Sequence, residues 1–417
     1  MSRWQSVARR YGPWLLVGLL AVLWICDLSR VWRITNHKDL DVFLLAVRRL
    51  LAGEDIYADA AAFRASIEAG AFSMKDTSVV WPYAYAPLIA ILFAPARALP
   101  AETVYALWWG ANVVALIGGC WLSLRVVGQT KPLVIALMLL VLYRFDPAVV
   151  ALRLGQIEIA QFLLLAAALY ALSRDRERWA GLALGLATGI KFFPGALVAL
   201  LIWRRRWRAA AWATGTALIL IVGSFAIVGF DRWPAYWDFT AMYGIGGAFA
   251  AFPLNQSLNG FFSRNLVRNV FTATLKGVHL PVLAKSLTLG CDLAIVVSSA
   301  WLTWQKDGWR RPGDEAQNQR FALEFALAVM ALLLISPHSQ VYTFVWALLP
   351  LMVLLARLIA RPDVRWRGWA GLAVAYALLG RAYTLYHPGL TRLVQAHYLG
   401  GALILWGTIA VILWRDR

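Results

Sequence analysis

Two acids open one short stretch of this chain. In "NHKDLDVFLLAVRRLLAGEDIY" (36–57), Asp39 and Asp41 stand just ahead of a stripe of Leu40, Phe43, Leu44, Val47, Leu50 and Leu51 that falls on one helical face. Gly53 sits where a C-cap would end that helix. Two positions apart is about 200° of rotation, so one of the two carboxylates can turn into a given pocket. Asp39 lies nearer the face of Leu40 and Phe43 than Asp41 does. Such an acid has two readings. It can be a first-turn carboxylate that steadies the helix dipole, or a general base that takes a proton from a hydroxyl within hydrogen-bond reach.

A second set of residues is cationic and amide-rich. "RLGQIE" supplies Arg153, Gln156 and Glu158, and "GIKFFPG" supplies Lys191. "NQSLNGFFSR" supplies Asn255, Gln256, Ser257, Asn259 and Arg264, and "SPHSQ" supplies His338. Together they suit an anionic phosphate and the hydroxyls of a sugar. The plainer readings are a snorkelling lysine, an exposed loop arginine and a satisfied interfacial histidine. Lys191 lies in a long apolar stretch, where an ionisable group needs a partner to offset its desolvation. Asp27, Asp292 and Glu324 also fall within apolar segments, and pairing inside the bundle is expected for Asp27 and Asp292. No Walker loop, zinc H-E-x-x-H or G-x-S-x-G elbow occurs. Cys26, Cys120 and Cys291 are scattered through apolar spans and make neither a disulfide framework nor a zinc motif. No metal site and no cofactor is expected.

The elements that must position these residues are membrane helices. Of 417 residues, 61% are hydrophobic and 15% charged, with a mean hydropathy of +0.64. A soluble fold could not bury so much apolar surface. Clear spans are 12–32, 101–124, 207–229, 281–305, 320–337, 339–357, 366–384 and 395–414, each near the ~20 residues that cross a hydrocarbon core. The first has too long an apolar run, and no cleavage site, to be a signal peptide. Many of the 22 tryptophans lie at span ends, as interfacial anchors do. The net charge of +18 sits in short loops at 203–208, 306–311, 357–367 and 414–417. That is the positive-inside pattern rather than a nucleic-acid surface.

The expected fold is therefore all-α and polytopic, a single integral membrane domain over 1–417 with about twelve crossings and both termini inside. The charge rule is obeyed throughout if "YAPLIAILFAPARALP" is a re-entrant or surface helix and 178–203 breaks at "KFFPG" into two short spans. Short broken helices need shelter from lipid by their neighbours. Two outer segments remain, 33–84 with its amphipathic helices and 230–280, both too long to be mere turns.

The ordered set "DLDVFLLAVRRLLAGEDIY", "YAPLIAILFAPARALP", "GQIEIAQFLLL", "GLALGLATGIKFFPG", "NQSLNGFFSR" and "SPHSQVYTF" over 39–344 resembles the signature of glycosyltransferase family 87. That family comprises polytopic GT-C enzymes that include polyprenyl-phosphate-mannose-dependent α-1,2-mannosyltransferases. "YAPL" stands where YPPL is more usual, and Glu158 where an asparagine is common. The resemblance implies a GT-C-type bundle and an inverting transfer of a sugar, mannose first and arabinose or glucose among the others. The donor would be a polyprenyl-phosphate-linked sugar. The acceptor would be a hydroxyl of a lipid or envelope glycan, on the outer face of the cytoplasmic membrane. It also implies that Asp39 is the base, with Asp41 as the alternative. Lys191, Arg264 and His338 would stabilise the departing phosphate, and Gln156, Asn255 and Gln256 would line the donor's phosphate and sugar site. Two competing classes are a flippase or transporter of lipid-linked sugars without chemistry, and a non-enzymatic partner in an envelope complex.

Overall fold

The computed structural model describes residues 3–69, 81–269, 271, 278–304, 315–360, 366–382 and 395–416. The basic loop at 306–311, much of that at 357–367 and the segment 383–394 lie outside the described residues. The helices in chain order are α1 Arg3–Arg33, α2 Lys38–Ala52, α3 Ala60–Glu68, α4 Leu88–Phe93, α5 Ala101–Val126, α6 Pro132–Leu142, α7 Asp146–Leu154, α8 Glu158–Ser173 and α9 Glu177–Ile190. They continue as α10 Leu197–Trp203, α11 Trp207–Val228, α12 Trp233–Ala241, α13 Leu258–Leu266, α14 Pro281–Thr303, α15 Glu315–Ile335, α16 Leu348–Ala360, α17 Trp366–Leu379 and α18 His397–Arg415. Among the described residues the one extended pairing is an antiparallel bridge between Asn255 and Gln340.

The chain is an all-helical, multi-pass membrane protein. Among the described residues, seven helices are long and apolar enough to cross a bilayer, or eight if the bent pair α6–α7 (61°) is one span. About twelve were expected. The difference lies in the short helices: α8, α9 and α17 run 16, 14 and 14 residues, below the ~20 that span alone. Leu88–Ala98 is shorter still, as a re-entrant or surface element would be.

The break at "KFFPG" is present. α9 ends at Ile190, Lys191 is extended (φ −151°, ψ 131°), and a 3-10 turn Phe193–Ala196 leads into α10. Pro194, which lacks an N–H, sits in the first positions of that turn, where no donor is needed. α9 runs against α11, and Gly181 and Gly185 let the two backbones meet. A Cβ at Gly185 would lie 2.7 Å from the carbonyl oxygen of Ala213.

Packing sorts the long helices into centre and perimeter. The span Val341–Ala360 is 89% buried, whereas α14 is 17% buried over its apolar window. α14 therefore turns an apolar surface to lipid. Phe162, Leu165, Phe325 and Phe344 belong to the main core. A second cluster of Leu40, Phe43, Tyr85, Ile89, Phe225 and Tyr236 joins α2 and α4 to α11 and α12.

At the end of the bundle away from α2, the expected loop cations are built into the fold. Arg204 and Arg320 both pair with the fully buried Glu324, at 3.1 and 3.2 Å. Arg206 bonds Asp175 at 2.5 Å and Glu177 at 2.9 Å. Arg357 reaches Asp416 at 2.7 Å. Elsewhere, on α1, Asp27 pairs with Arg144 at 3.2 Å, as expected. The Oδ1 of Asp292 is buried without a hydrogen-bond partner, so among the described residues the pairing expected there is not seen.

Candidate active site

The start of α2 is fixed by the end of α7. The N–H groups of Asn36 and His37 both donate to the Arg153 carbonyl, at 3.0 and 3.1 Å. His37 takes a left-handed turn (φ 49°) and stacks on Tyr105 with ring centroids 4.3 Å apart. Gly155 closes α7 with φ 74°, and a Cβ there would come within 2.7 Å of Leu40 Cβ. A glycine thus allows both the left-handed turn and the close approach of α2. Gln156 follows directly, and α2 delivers Asp39 beside it.

Gln156 Nε2 donates to Asp39 Oδ2 at 2.6 Å, and the Tyr85 hydroxyl donates to Gln156 Oε1 at 3.0 Å. Asp39 is half-buried, walled by protein but open to a cavity of about 790 Å³. Burial, and then the negative charge of Glu158, push its carboxyl up to about 7; Gln156, Lys191 and Lys38 pull the other way. A carboxylate near half-protonation at neutral pH can accept a proton and give it back.

Asp41 also lines the cavity, contrary to the expectation that a single carboxylate could. The cavity follows α2 along its length and so meets more than one helical face. Asp41 is exposed at the rim, where the Tyr105 hydroxyl donates to it at 2.5 Å.

Lys191 enters from the α9 break. Its ammonium lies 2.6 Å from Glu158 Oε1 and over the rings of Tyr85 and Tyr342, at 5.6 and 5.8 Å. The aromatic faces and the carboxylate together hold the cation in the cavity wall. Glu158 is itself fully buried, and its backbone carbonyl accepts from Trp346 Nε1 at 3.1 Å.

His338 lines the same cavity but is not a cation there. Burial, then the positive charges of Lys191 and Arg264, push its imidazole down to about 3. It is therefore a neutral hydrogen-bonding group at neutral pH. Its Nε2 lies 2.8 Å from Gln340 Nε2, and its Nδ1 is buried with no hydrogen-bond partner among the described residues.

The other expected ligands lie behind the wall. Arg264, Asn255 and Gln256 are buried and do not line the cavity. The Nη1 of Arg264 donates to the carbonyls of Phe252 (3.0 Å) and Asn255, and burial pushes its guanidinium down to about 10. Asn255 Nδ2 donates to Ala250 O and Pro337 O, at 2.9 and 3.0 Å, while its Oδ1 accepts from Ser339 N at 3.1 Å. Gln256 N donates to Ser339 O at 2.7 Å. Asn259 Nδ2 donates to Pro337 O at 2.9 Å. These residues lock the 250–260 loop to the turn that carries His338. Their polarity serves loop backbone that helix hydrogen bonds do not reach.

The cavity's remaining wall is aromatic, with Trp81, Tyr85, Tyr236, Trp237, Tyr243 and Tyr342. Sequence reasoning does not single out any of these. The run "WPYAY" and the aromatic density of 230–280 are the signals that could have found them.

Comparison with known proteins places the chain among glycosyltransferases. The sequence profile of glycosyltransferase family 87 matches residues 83–337. The chain is 27% identical, over 80% of its length and 73% of the relative's, to a polyprenol-phosphate-mannose-dependent alpha-(1-2)-phosphatidylinositol pentamannoside mannosyltransferase of Mycobacterium tuberculosis. The protein of the same description in Mycolicibacterium smegmatis is 28% identical over 80% of this chain and 76% of its own. A phosphatidylinositol mannoside mannosyltransferase of that organism, with the same donor dependence, is 26% identical over 95% of this chain and 87% of its own. Because the profile match runs through more than half the chain, the chain belongs to glycosyltransferase family 87.

Proposed function

We propose that this glycosyltransferase moves a mannosyl group, with inversion, from a polyprenyl-phosphate donor to a hydroxyl of a lipid or envelope glycan. The site would face the outer side of the cytoplasmic membrane. About twelve crossings, counting α8, α9, α10 and α17 as sheltered spans, would place both termini inside. The observation that carries the reading is the meeting of Asp39 and Lys191 in one cavity. The mannosyltransferase relatives support the choice of donor and sugar.

In this reading Asp39 takes the acceptor's hydroxyl proton as the acceptor oxygen bonds to C1 of the sugar. The C1–O bond to phosphate breaks on the opposite face, and its electron pair leaves with the polyprenyl phosphate. Lys191 faces the charge that develops on that phosphate, as a preorganised cation should. His338, being neutral, contributes a hydrogen bond rather than a charge. The aromatic wall offers faces for the sugar and the first isoprene units.

The test is transfer from polyprenyl-phosphate mannose to a phosphatidylinositol mannoside by the purified protein. Asp39→Asn is expected to lower turnover by at least ~10²-fold, within the range for a lost general base, and to leave unfolding in detergent unchanged. Full activity in Asp39→Asn overturns the assignment, and loss in Asp41→Asn alone moves the base by two residues. Transbilayer movement of the donor without its consumption would favour the flippase.

A further inference from the structure

Gln156 is 1% exposed, wedged between a carboxylate and a phenol. An ionised carboxylate accepts hydrogen bonds and donates none. The Gln156 atom 2.6 Å from Asp39 Oδ2 is therefore the amide nitrogen. Its oxygen must then face Tyr85, and the phenol 3.0 Å away must donate to it. The carboxylate sets which way the amide points, and the Tyr85 proton satisfies the oxygen that faces away from it. Without that proton, the amide oxygen loses its donor and the carboxylate alone holds the amide in place.

Gln156 and Tyr85 are both held from behind. The Tyr85 ring meets Phe43, one turn beyond Asp39, edge to face at 5.0 Å, and its carbonyl accepts from the Tyr57 hydroxyl at 2.8 Å. Gln156 N donates to Ala151 O at 2.9 Å, just after the left-handed Gly155. Among the described residues, Asp39 Oδ2 is bonded and Oδ1 receives no hydrogen bond. Tyr85 also lies under the Lys191 ammonium, so one ring supports both the acid and the cation.

We propose that Gln156 and Tyr85 are positioning residues of the transfer reaction: the phenol satisfies the amide oxygen, and the amide holds Asp39 so that Oδ1 is presented to the acceptor hydroxyl. This rests on Asp39 being the base. The acceptor's proton goes to Oδ1, the acceptor oxygen bonds to C1, and the C1–O bond to phosphate breaks with its electron pair. Gln156 and Tyr85 neither gain nor lose a proton. The Nε2–Oδ2 bond persists when Oδ1 is protonated, so nothing has to rearrange between turnovers. Gln156 is thereby a support of the base rather than a ligand of the donor.

The charged groups facing Asp39 are Lys38 from its own helix, Glu158 from α8 and Lys191 from the α9 break, with the phenols of Tyr85, Tyr243 and Tyr342 around them. Donation by the Gln156 amide favours the charged carboxylate. Removing it moves the acid limb of the pH–rate profile upward from about 7.

The experiment measures initial rates against pH for the full-length protein in detergent, with polyprenyl-phosphate mannose and a phosphatidylinositol mannoside. Gln156→Ala, Gln156→Glu, Tyr85→Phe and Asp39→Asn are compared with wild type. Gln156→Ala is expected to lower kcat by roughly tenfold or more, to leave both KM values within about twofold, and to raise the acid-limb midpoint. Tyr85→Phe keeps the ring and so decides the matter even if Gln156→Ala fails to fold. It is expected to shift kcat and the midpoint the same way, by less. Gln156→Glu sets a second acid against Asp39 and is expected to give the largest midpoint shift. A raised donor KM with unchanged kcat and midpoint would make Gln156 a substrate ligand and overturn the proposal. So would wild-type behaviour in both Gln156→Ala and Tyr85→Phe while Asp39→Asn is dead. Activity in Asp39→Asn would instead overturn the assignment of the base.

Discussion

At the residue scale, two neighbouring acids divide the labour. Glu158 keeps Lys191 in the cavity wall by an ion pair of 2.6 Å, and its charge helps to hold the Asp39 carboxyl at about 7. The sign of its effect is testable. For a base, activity follows the deprotonated fraction, so kcat/KM should fall about tenfold per pH unit below the Asp39 midpoint and level off above it. Glu158→Gln removes a like charge, and it also frees the charge of Lys191. Both changes favour the carboxylate, so the acid limb is expected to move below 7, the opposite direction from Gln156→Ala. An unmoved limb in Glu158→Gln would show that the two acids do not sense each other.

The sequence discloses residue types here better than directions. Asp39 can be singled out because the stripe of Leu40 and Phe43 fixes which face of α2 is buried, and Lys191 because a lysine in an apolar run needs a reason. Arg264, Asn255 and Gln256 have the same polar character, yet they bond backbone carbonyls and N–H groups behind the cavity. The demand of a loop's backbone and the demand of a ligand look alike in a one-dimensional pattern. His338 is legible as a cavity residue, but its charge state depends on burial beside Lys191 and Arg264, which spacing does not reveal.

At the element scale, the α9–α11 contact carries Lys191 to its place. Gly185 meets the Ala213 carbonyl across that contact, so a larger side chain must push the helices apart. Gly185→Leu is expected to cost about 1–3 kcal/mol, as overpacking does, seen as a lower unfolding temperature together with a loss of activity. On the perimeter helix α14, a Cβ added at Gly290 would meet nothing within 4 Å, and Gly290→Ala serves as the neutral comparison. The break between α9 and α10 is legible because Pro194 and the charge rule both call for it. The number of crossings is not, since hydropathy shows how apolar a helix is and not whether neighbours shelter a short one.

At the scale of the molecule, the end away from α2 is held by charge. Glu324 is shared by Arg204 and Arg320 in a buried setting. Glu324→Gln leaves two guanidinium groups without that carboxylate, and breaking such a buried pair costs about 3–5 kcal/mol. A clear fall in unfolding temperature in detergent is the expected outcome, and an unchanged one would show that Asp175, Glu177 and Asp416 suffice. The cavity draws on residues from Lys38 to Tyr342, which sets a condition on how the enzyme is made. Asp39 is among the first cavity residues to leave the ribosome, and Tyr342, whose ring helps to hold Lys191, is among the last. A nascent chain therefore has its acid long before it has the wall that tunes it. Truncated products ending before the last third of the sequence would be inert toward the donor, and competence would arrive at a single late step of membrane insertion.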